Sequence, residues 1–308
     1  MGIRSSKNTG KLRGCLILMR PANLPTAAAD ILAGAVVAGA IYITSPELGT
    51  VHMLVSLLLL VAASICLYAG GVVLNDVFDL KLDRIERPER PIPSGTVSLS
   101  MAIRLGSALL VLGIIFALLV SFKAALVALF LAFAILLYDS LAKHHVFFGP
   151  LVMGSCRGLN LLLGMFLFGI PPTHLWIYLL LPVIYIAAVT LVSRGEVHGR
   201  NRDNIALSGF LYAVVMALIL ILMPKSPLNW AYVLPFLILF AVAVYRPLIT
   251  AYRINSPQNI KKAVKAGVLS LVLMDATMAV SASIWWVGVI IILLLPVSLF
   301  LAKRFSVT

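Results

Sequence analysis

Apolar stretches near 20 residues recur along the whole chain, and they limit its fold more than any other feature. A transmembrane α-helix needs about 20 consecutive apolar residues, whereas barrel strands alternate apolar and polar residues, which these stretches do not. Of the 308 residues, 62% are hydrophobic and 11% charged, against about 25% charged in a soluble domain. We therefore predict an all-α, polytopic membrane helical bundle. The predicted spans are 22–43, 52–76, 98–120, 122–141, 147–170, 173–193, 205–223, 228–246, 261–281 and 284–302.

The last two stretches leave the number of spans at nine or ten, because they form either two spans or one span and a surface helix. We expect a basic cytoplasmic N-terminal segment (1–19), a single membrane domain (20–302) and a basic C-terminal tail (303–308).

The net charge is +13. If the N-terminus is cytoplasmic, all of the 24 Lys and Arg except Lys123, Arg157 and Lys225 lie on the cytoplasmic side. This positive-inside bias predicts the orientation and favours ten spans. We expect a bilayer-embedded protein of the bacterial inner membrane, with no nucleic-acid partner.

The loops after spans 2, 4, 6 and 8 then converge on the cytoplasmic face, and those after spans 2 and 6 hold most of the acids. At the end of span 2 and in the loop after it, Asn75, Asp79 and Asp83 recur every four residues and would stack on one face of a continuing helix. Asp76 would be rotated from Asn75 by about 100° around the helix axis. Basic residues follow at once, ending at Arg90. Carboxylates suit Mg²⁺ and basic groups suit phosphate, so the pattern predicts a diphosphate site. The alternative is a solvated, charge-balanced loop. Four turn-forming Pro and Gly residues at 88–95 predict that this loop folds over the membrane domain.

This loop resembles the first aspartate-rich motif of the UbiA superfamily of intramembrane prenyltransferases, N-D-x-x-D-x-x-x-D, followed by the family-like RPIPSG at 90–95. The stretches RPANLPTAAADILAG (20–34) and YDSLAKHH (138–145) also resemble the family. The resemblance covers roughly residues 20–281. It implies two acidic motifs that face each other and hold Mg²⁺ on an isoprenyl diphosphate donor, whose bond ionises to an allylic cation. The residues that it assigns on the first side are metal ligands Asn75, Asp76, Asp79 and Asp83, with Lys143 and Arg90 on the diphosphate and Tyr138 lining the donor pocket.

The second motif, SRGEVHGRNRD at 193–203, departs from the family pattern D-x-x-x-D. Glu196 takes the place of the first acid, Arg200 stands four residues later, and Asp203 is the other carboxylate. The resemblance implies Glu196 and Asp203 as metal ligands, or Arg200 acting directly on phosphate. His198 is a candidate base towards an acceptor, or a solvated loop residue.

Arg157, Asp30 and Asp275 are ionisable residues inside predicted spans, where charge is unfavourable unless it faces the bundle interior. We expect Arg157 to face inwards, towards the diphosphate, an acid of the loop after span 2, or Asp30. Asn160 shares its face, and both are assigned to the donor pocket. Asp275 is expected far from the chemistry, as a structural group without a partner.

The leading hypothesis is a Mg²⁺-dependent prenyltransferase acting on a small acceptor. CRGLNLLLG (156–164) and SRGEVHG also resemble a divergent UbiA-like branch of bacterial ebo gene clusters, which implies a cyclitol-like acceptor; an aromatic acceptor stays open. Two alternatives remain: a terpene cyclase using the same diphosphate site, and a non-catalytic lipid-handling or transport protein.

Overall fold

Helices make up the fold. The computed structural model describes residues 2–39, 50–196, 199–223 and 227–305, and within these ranges it contains no strand. The α-helices of the described ranges are α1 Gly2–Leu18, α2 Leu24–Val37, α3 Thr50–Phe78, α4 Leu80–Glu86, α5 Leu99–Val120, α6 Phe122–Ser140, α7 Phe148–Met165, α8 Leu180–Ser193, α9 Arg202–Leu222, α10 Pro227–Arg253, α11 Pro257–Leu269, α12 Leu271–Ala282, α13 Trp285–Ile292 and α14 Leu294–Phe305.

Nine segments within the described ranges are long and apolar enough to cross a bilayer. They correspond to nine of the predicted spans, and both members of the final pair are present, as Pro257–Ala282 and Trp285–Phe305. The remaining predicted span corresponds to α2. Its residues 40–43 lie outside the described ranges, as do His198, Lys225 and residues 306–308 of the predicted tail. The chain is an all-α integral membrane protein.

Helix α2 lies at the centre of the bundle, where it packs against α3, α7 and α12. Nearly all of its side chains are buried. It approaches α7 backbone to backbone: a Cβ built on Gly34 would lie 2.2 Å from the Leu161 carbonyl oxygen, and one built on Gly164 would lie 2.3 Å from that of Ile31. Small residues permit such close contact between membrane helices. This contact fixes the position along the two helices at which Asp30 of α2 meets Arg157 and Asn160 of α7.

The loop between α4 and α5 is folded against the helices, as its turn residues predicted. Ile92 and Val97 are buried and pack with Cys15 and Leu18 of α1. The Val97 amide donates to the Pro91 carbonyl, with an N···O distance of 2.9 Å. This packing joins α1 to the loop that carries the first acidic motif.

Distant segments of the chain meet at the same end of the bundle. One cavity there is lined by Arg20 after α1, Arg90 of the α4–α5 loop, Lys261 of α11 and Lys303 of α14. The predicted convergence of these loops and termini is therefore confirmed for the described residues.

Candidate active site

The first acidic motif lies where α3 passes into α4. Asp79 separates the two helices, yet its amide donates to the Asn75 carbonyl and its own carbonyl accepts from the Asp83 amide, both at 2.9 Å. The backbone hydrogen-bond register of the helix therefore continues through Asp79. Asp76 and Asp83 are buried, and Asn75 and Asp79 are half-buried. Buried carboxylates require compensating charge.

Two arginines supply that charge for one side of the motif. Arg20 Nη2 lies 2.6 Å from Asp76 Oδ1. Arg90 Nη1 bridges Asp76 Oδ1 at 3.1 Å and Asp83 Oδ2 at 2.7 Å. Asp76 and Asp83, seven residues apart, therefore share one cation. The predicted stack is thus divided, because Asp83 faces the same partner as Asp76.

The other side of the motif faces the end of α6. Lys143 Nζ is paired with Asp79 Oδ1, and only 9% of the Lys143 side chain is exposed. Asn75 Nδ2 donates to Asp139 Oδ1 at 2.7 Å. Asp139 and Lys143 are four residues apart, as are Asn75 and Asp79, so two polar rows face each other. A buried lysine paired with a motif acid is not a solvated anchor at the membrane surface.

A cavity of about 220 Å³ opens beside this array. Its polar walls include the predicted pocket residues Tyr138, Arg157 and Asn160, together with Arg20 and Tyr68. Apolar side chains complete the lining, namely Val72, Leu131, Ile135 and Met153. The cavity therefore combines charged and apolar walls, as an amphiphilic substrate requires.

Arg157 occupies the inner end of the cavity, where its charge is matched by Asp30 of α2. Arg157 Nη1 lies 2.7 Å from Asp30 Oδ2, and Asn160 Nδ2 donates to the same oxygen at 2.8 Å. The guanidinium carbon stands 5.5 Å from the Tyr68 ring centroid, within cation–π range. The prediction that Arg157 faces inwards is confirmed, and among the alternatives its partner is Asp30.

Asp275 was expected far from this site, and that expectation is wrong. It is buried on α12 beside Asp30 and close enough to Arg157 to feel its charge. Neither Asp275 carboxylate oxygen has a hydrogen-bond donor in the described part of the chain. The packing of α12 on α2, which brings Asp275 to Asp30, is not readable from one sequence.

The second acidic motif is built differently. Glu196 follows α8 in a turn and is half-buried, Arg200 is exposed with a left-handed φ of 53°, and Asp203 is exposed in the first turn of α9. Burial raises the pKa of the Glu196 carboxyl above its ordinary value, and Lys261 and Arg87 partly oppose that shift. Glu196 therefore lies near the cations Lys261 and Arg87. The aspartates of the first motif are instead paired with Arg20, Arg90 and Lys143. His198 lies outside the described residues.

No three His, Cys, Asp or Glu side chains lie close enough together to share a metal ion within the described ranges. The carboxylates of the first motif are instead turned towards Arg and Lys. Their chemistry still fits Mg²⁺, which takes carboxylate and amide oxygens. Because the Asn75 amide nitrogen is engaged by Asp139, its oxygen is left to act as a ligand.

Sequence reasoning missed Arg20 and Asp139. Arg20 adopts a left-handed conformation, with φ 47°, which is strained for a residue with a side chain. Asp139 stands four residues before Lys143, the spacing that drew attention to Asn75 and Asp79, and that signal could have found it.

Comparison with known proteins agrees with this architecture. A sequence model of the UbiA prenyltransferase family matches residues 31–266. The chain belongs to the UbiA prenyltransferase family. It is 34% identical over 125 residues to the digeranylgeranylglyceryl phosphate synthase of Saccharolobus solfataricus, covering 40% of this chain and 43% of that relative. The chain therefore matches less than half the length of this curated relative.

Solved structures share the fold. A structure of digeranylgeranylglyceryl phosphate synthase superposes with a TM-score of 0.63 at 21% identity, over 88% of this chain and 98% of the other. A UbiA homologue from Archaeoglobus fulgidus, bound to GPP and Mg²⁺, superposes with a TM-score of 0.52 at 14% identity, over 81% and 99% of the two chains.

Proposed function

We propose that this protein is a Mg²⁺-dependent intramembrane prenyltransferase that ionises an isoprenyl diphosphate at the first acidic motif. The observation that carries the proposal is the set of ion pairs at the cavity mouth, in which Asp76, Asp79 and Asp83 meet Arg20, Arg90 and Lys143. Family membership and the GPP and Mg²⁺ bound by a homologue of the same fold support it.

These ion pairs are suited to exchange. A bound diphosphate would take the Lys and Arg partners, and Mg²⁺ would take the released carboxylates, so charge stays balanced throughout. In this proposal Asn75, Asp76, Asp79 and Asp83 hold metal on the first side. Glu196 is the candidate on the second side, and Asp203 and Arg200 contribute less because they are exposed. Bound Mg²⁺ would supply Lewis-acid stabilisation of the leaving diphosphate.

The remaining groups act on the reacting ends. Lys143 and Arg90 stabilise charge that develops on the diphosphate as the carbon–oxygen bond breaks. Tyr138 lies in the cavity wall, where its ring can face the allylic cation. An acceptor hydroxyl then forms the new carbon–oxygen bond, and its proton passes to the released diphosphate. Arg157 and Asn160 order the inner end of the cavity.

For the acceptor we propose a glyceryl phosphate lipid, in place of the aromatic or cyclitol-like molecule expected from the sequence. The support is the name of the relatives, digeranylgeranylglyceryl phosphate synthase. We also propose that the end bearing the acidic motifs faces the cytoplasm, as the positive-inside bias predicts. The bacterial inner membrane stays a prediction.

The test is diphosphate release from a C20 prenyl diphosphate by the full chain in lipid nanodiscs, with Mg²⁺ or with EDTA. We expect Mg²⁺-dependent release and a prenylated product when geranylgeranylglyceryl phosphate is present. A cyclised hydrocarbon without acceptor would instead identify a terpene cyclase. Absence of both release and Mg²⁺-dependent binding of a thiolodiphosphate analogue would overturn the enzymatic proposal.

A further inference from the structure

A second and larger cavity lies at the same end of the bundle as the acidic motif. Its volume is about 800 Å³, and it is enclosed by the chain between α1 and α2, the loop after α4, α11 and α14. Arg20 lines both this cavity and the donor cavity. A molecule held here would therefore have its inner end next to the proposed prenyl donor. We call it the basic cavity.

Its charge is almost entirely positive. Six cationic side chains line it, against a single carboxylate, Asp76; the six are Arg20, Arg87, Arg90, Lys261, Lys265 and Lys303. Arg20 and Arg90 are already paired with aspartates of the first motif. The other four have no carboxylate within 4 Å in the described part of the chain, although Glu196 lies near enough to Lys261 and Arg87 to respond to them.

The register of the helices places exposed cations along the wall of the basic cavity. Lys261, Lys262 and Lys265 are all exposed on α11, but only Lys261 and Lys265, one turn apart, line the cavity. Lys303 of α14 lines the cavity and its neighbour Arg304 does not. Like charges that share a concave site repel one another unless an anion offsets them. Leu299, Ala302, Phe305 and Ile17 add apolar wall.

We propose that the basic cavity binds the phosphate group of the acceptor, so that the acceptor is a phosphate monoester with an apolar chain. This rests on the proposed function and assigns to its second substrate a site of its own. Arg87, Lys261, Lys265 and Lys303 hold the phosphate, the apolar wall holds part of the chain, and the acceptor hydroxyl points past Arg20 to the donor cavity.

The test measures donor and acceptor separately, in nanodiscs of phosphatidylcholine. The double variant Lys261→Gln/Lys265→Gln and the single variant Lys303→Gln are compared with matched controls Lys262→Gln and Arg304→Gln, which remove the same charge outside the cavity. Readouts are the KM for geranylgeranylglyceryl phosphate, the KM for the dephosphorylated alcohol, and the Kd of a prenyl thiolodiphosphate with Mg²⁺.

We expect the double variant to raise the KM for the phosphorylated acceptor at least about tenfold, because each lost charge-assisted contact weakens binding severalfold. The KM for the alcohol, the donor Kd and both controls should stay within about twofold of wild type. An unchanged acceptor KM in the double variant overturns this proposal while leaving the prenyltransferase proposal standing. Wild-type protein that neither binds the donor analogue nor transfers would instead overturn the prenyltransferase proposal.

Two further outcomes would show that the basic cavity binds the phosphate of a different molecule, either a bilayer phospholipid or the prenyl diphosphate donor. If phosphatidylglycerol added to the nanodiscs raises the wild-type acceptor KM as strongly as the double variant does, the cavity is a site for bilayer phospholipid and the acceptor proposal is wrong. If the double variant instead weakens the donor analogue, the lysines belong to the diphosphate site, and the separate acceptor site is again excluded.

Discussion

The two acidic motifs lie at the same end of the bundle but differ in how their charges are matched. In the first, Asp76, Asp79 and Asp83 each have a cation within salt-bridge distance. In the second, Glu196 is half-buried and has cations nearby, but none of the described residues places a cation within 4 Å of it, and Asp203 is exposed. The first motif is an assembled array, and the second contributes one semi-buried acid beside the basic cavity.

This difference has a physical consequence. A buried carboxylate is costly to keep ionised unless it is paired, so the first motif must exchange one partner for another when substrate binds. Among the described residues Glu196 has no such ion-pair partner to give up, and its raised pKa reflects burial that the nearby cations only partly offset. We infer that the first motif provides most of the metal affinity, and that the second adjusts it.

The largest effect is expected from Asp79→Asn. This change removes the charge opposite Lys143 and a proposed metal ligand while keeping the side-chain shape. Metal stabilisation of a departing group is worth several kcal/mol, so diphosphate release should fall at least about a thousandfold. Asp83→Asn should behave alike. Single-turnover release measures the change.

Glu86→Gln is the matched control, because Glu86 is an exposed acid of the same helix as Asp83; it should keep wild-type turnover. Elution as a single species and an unchanged Tm would show that the variants fold. Near wild-type release by either aspartate variant would contradict the metal assignment.

Lys143→Met tests the cation of the same array. The lysine side chain is almost fully enclosed, and loss of one preorganised stabiliser of developing charge lowers kcat by about 10² to 10³. The donor Kd should change much less than kcat. Lys123→Met, at the other end of α6, removes an equal charge and should leave kcat unchanged. A matching loss in both variants would mean that the effect is general electrostatics.

Sequence reasoning reached the spans and the first motif because both are local. Apolar length alone predicts the spans, and the four-residue acid spacing predicts the stack. It did not reach Arg20 and Asp139 as partners, because Arg20 is 56 residues from Asp76 and Asp139 is 64 from Asn75. It also misplaced Asp275, whose neighbour Asp30 lies on a different helix. Helix packing decides these contacts, and one sequence does not contain that packing in readable form.

Glu196→Gln tests how much the second acidic motif contributes to metal binding relative to the first. If Glu196 adjusts metal affinity that the first motif mainly provides, release should fall about tenfold, the equivalent of about 1.4 kcal/mol. The Mg²⁺ concentration for half-maximal release should rise, whereas release at saturating Mg²⁺ should recover towards wild type. Titration of Mg²⁺ against initial rate gives both quantities. A loss as large as that of Asp79→Asn, without recovery, would make the two motifs equal partners.

Asp203→Asn should have the smallest effect. Asp203 is exposed in the first turn of α9, where a carboxylate stabilises a helix N-terminus by only about 0.3–1 kcal/mol. Turnover and the Mg²⁺ requirement should therefore stay within about twofold of wild type, while Tm decreases slightly. The same assays measure both. A tenfold or greater loss would mean that Asp203 reaches the donor when substrate binds. The second motif would then be assembled by the substrate, whereas the ion pairs of the first motif are already formed without it.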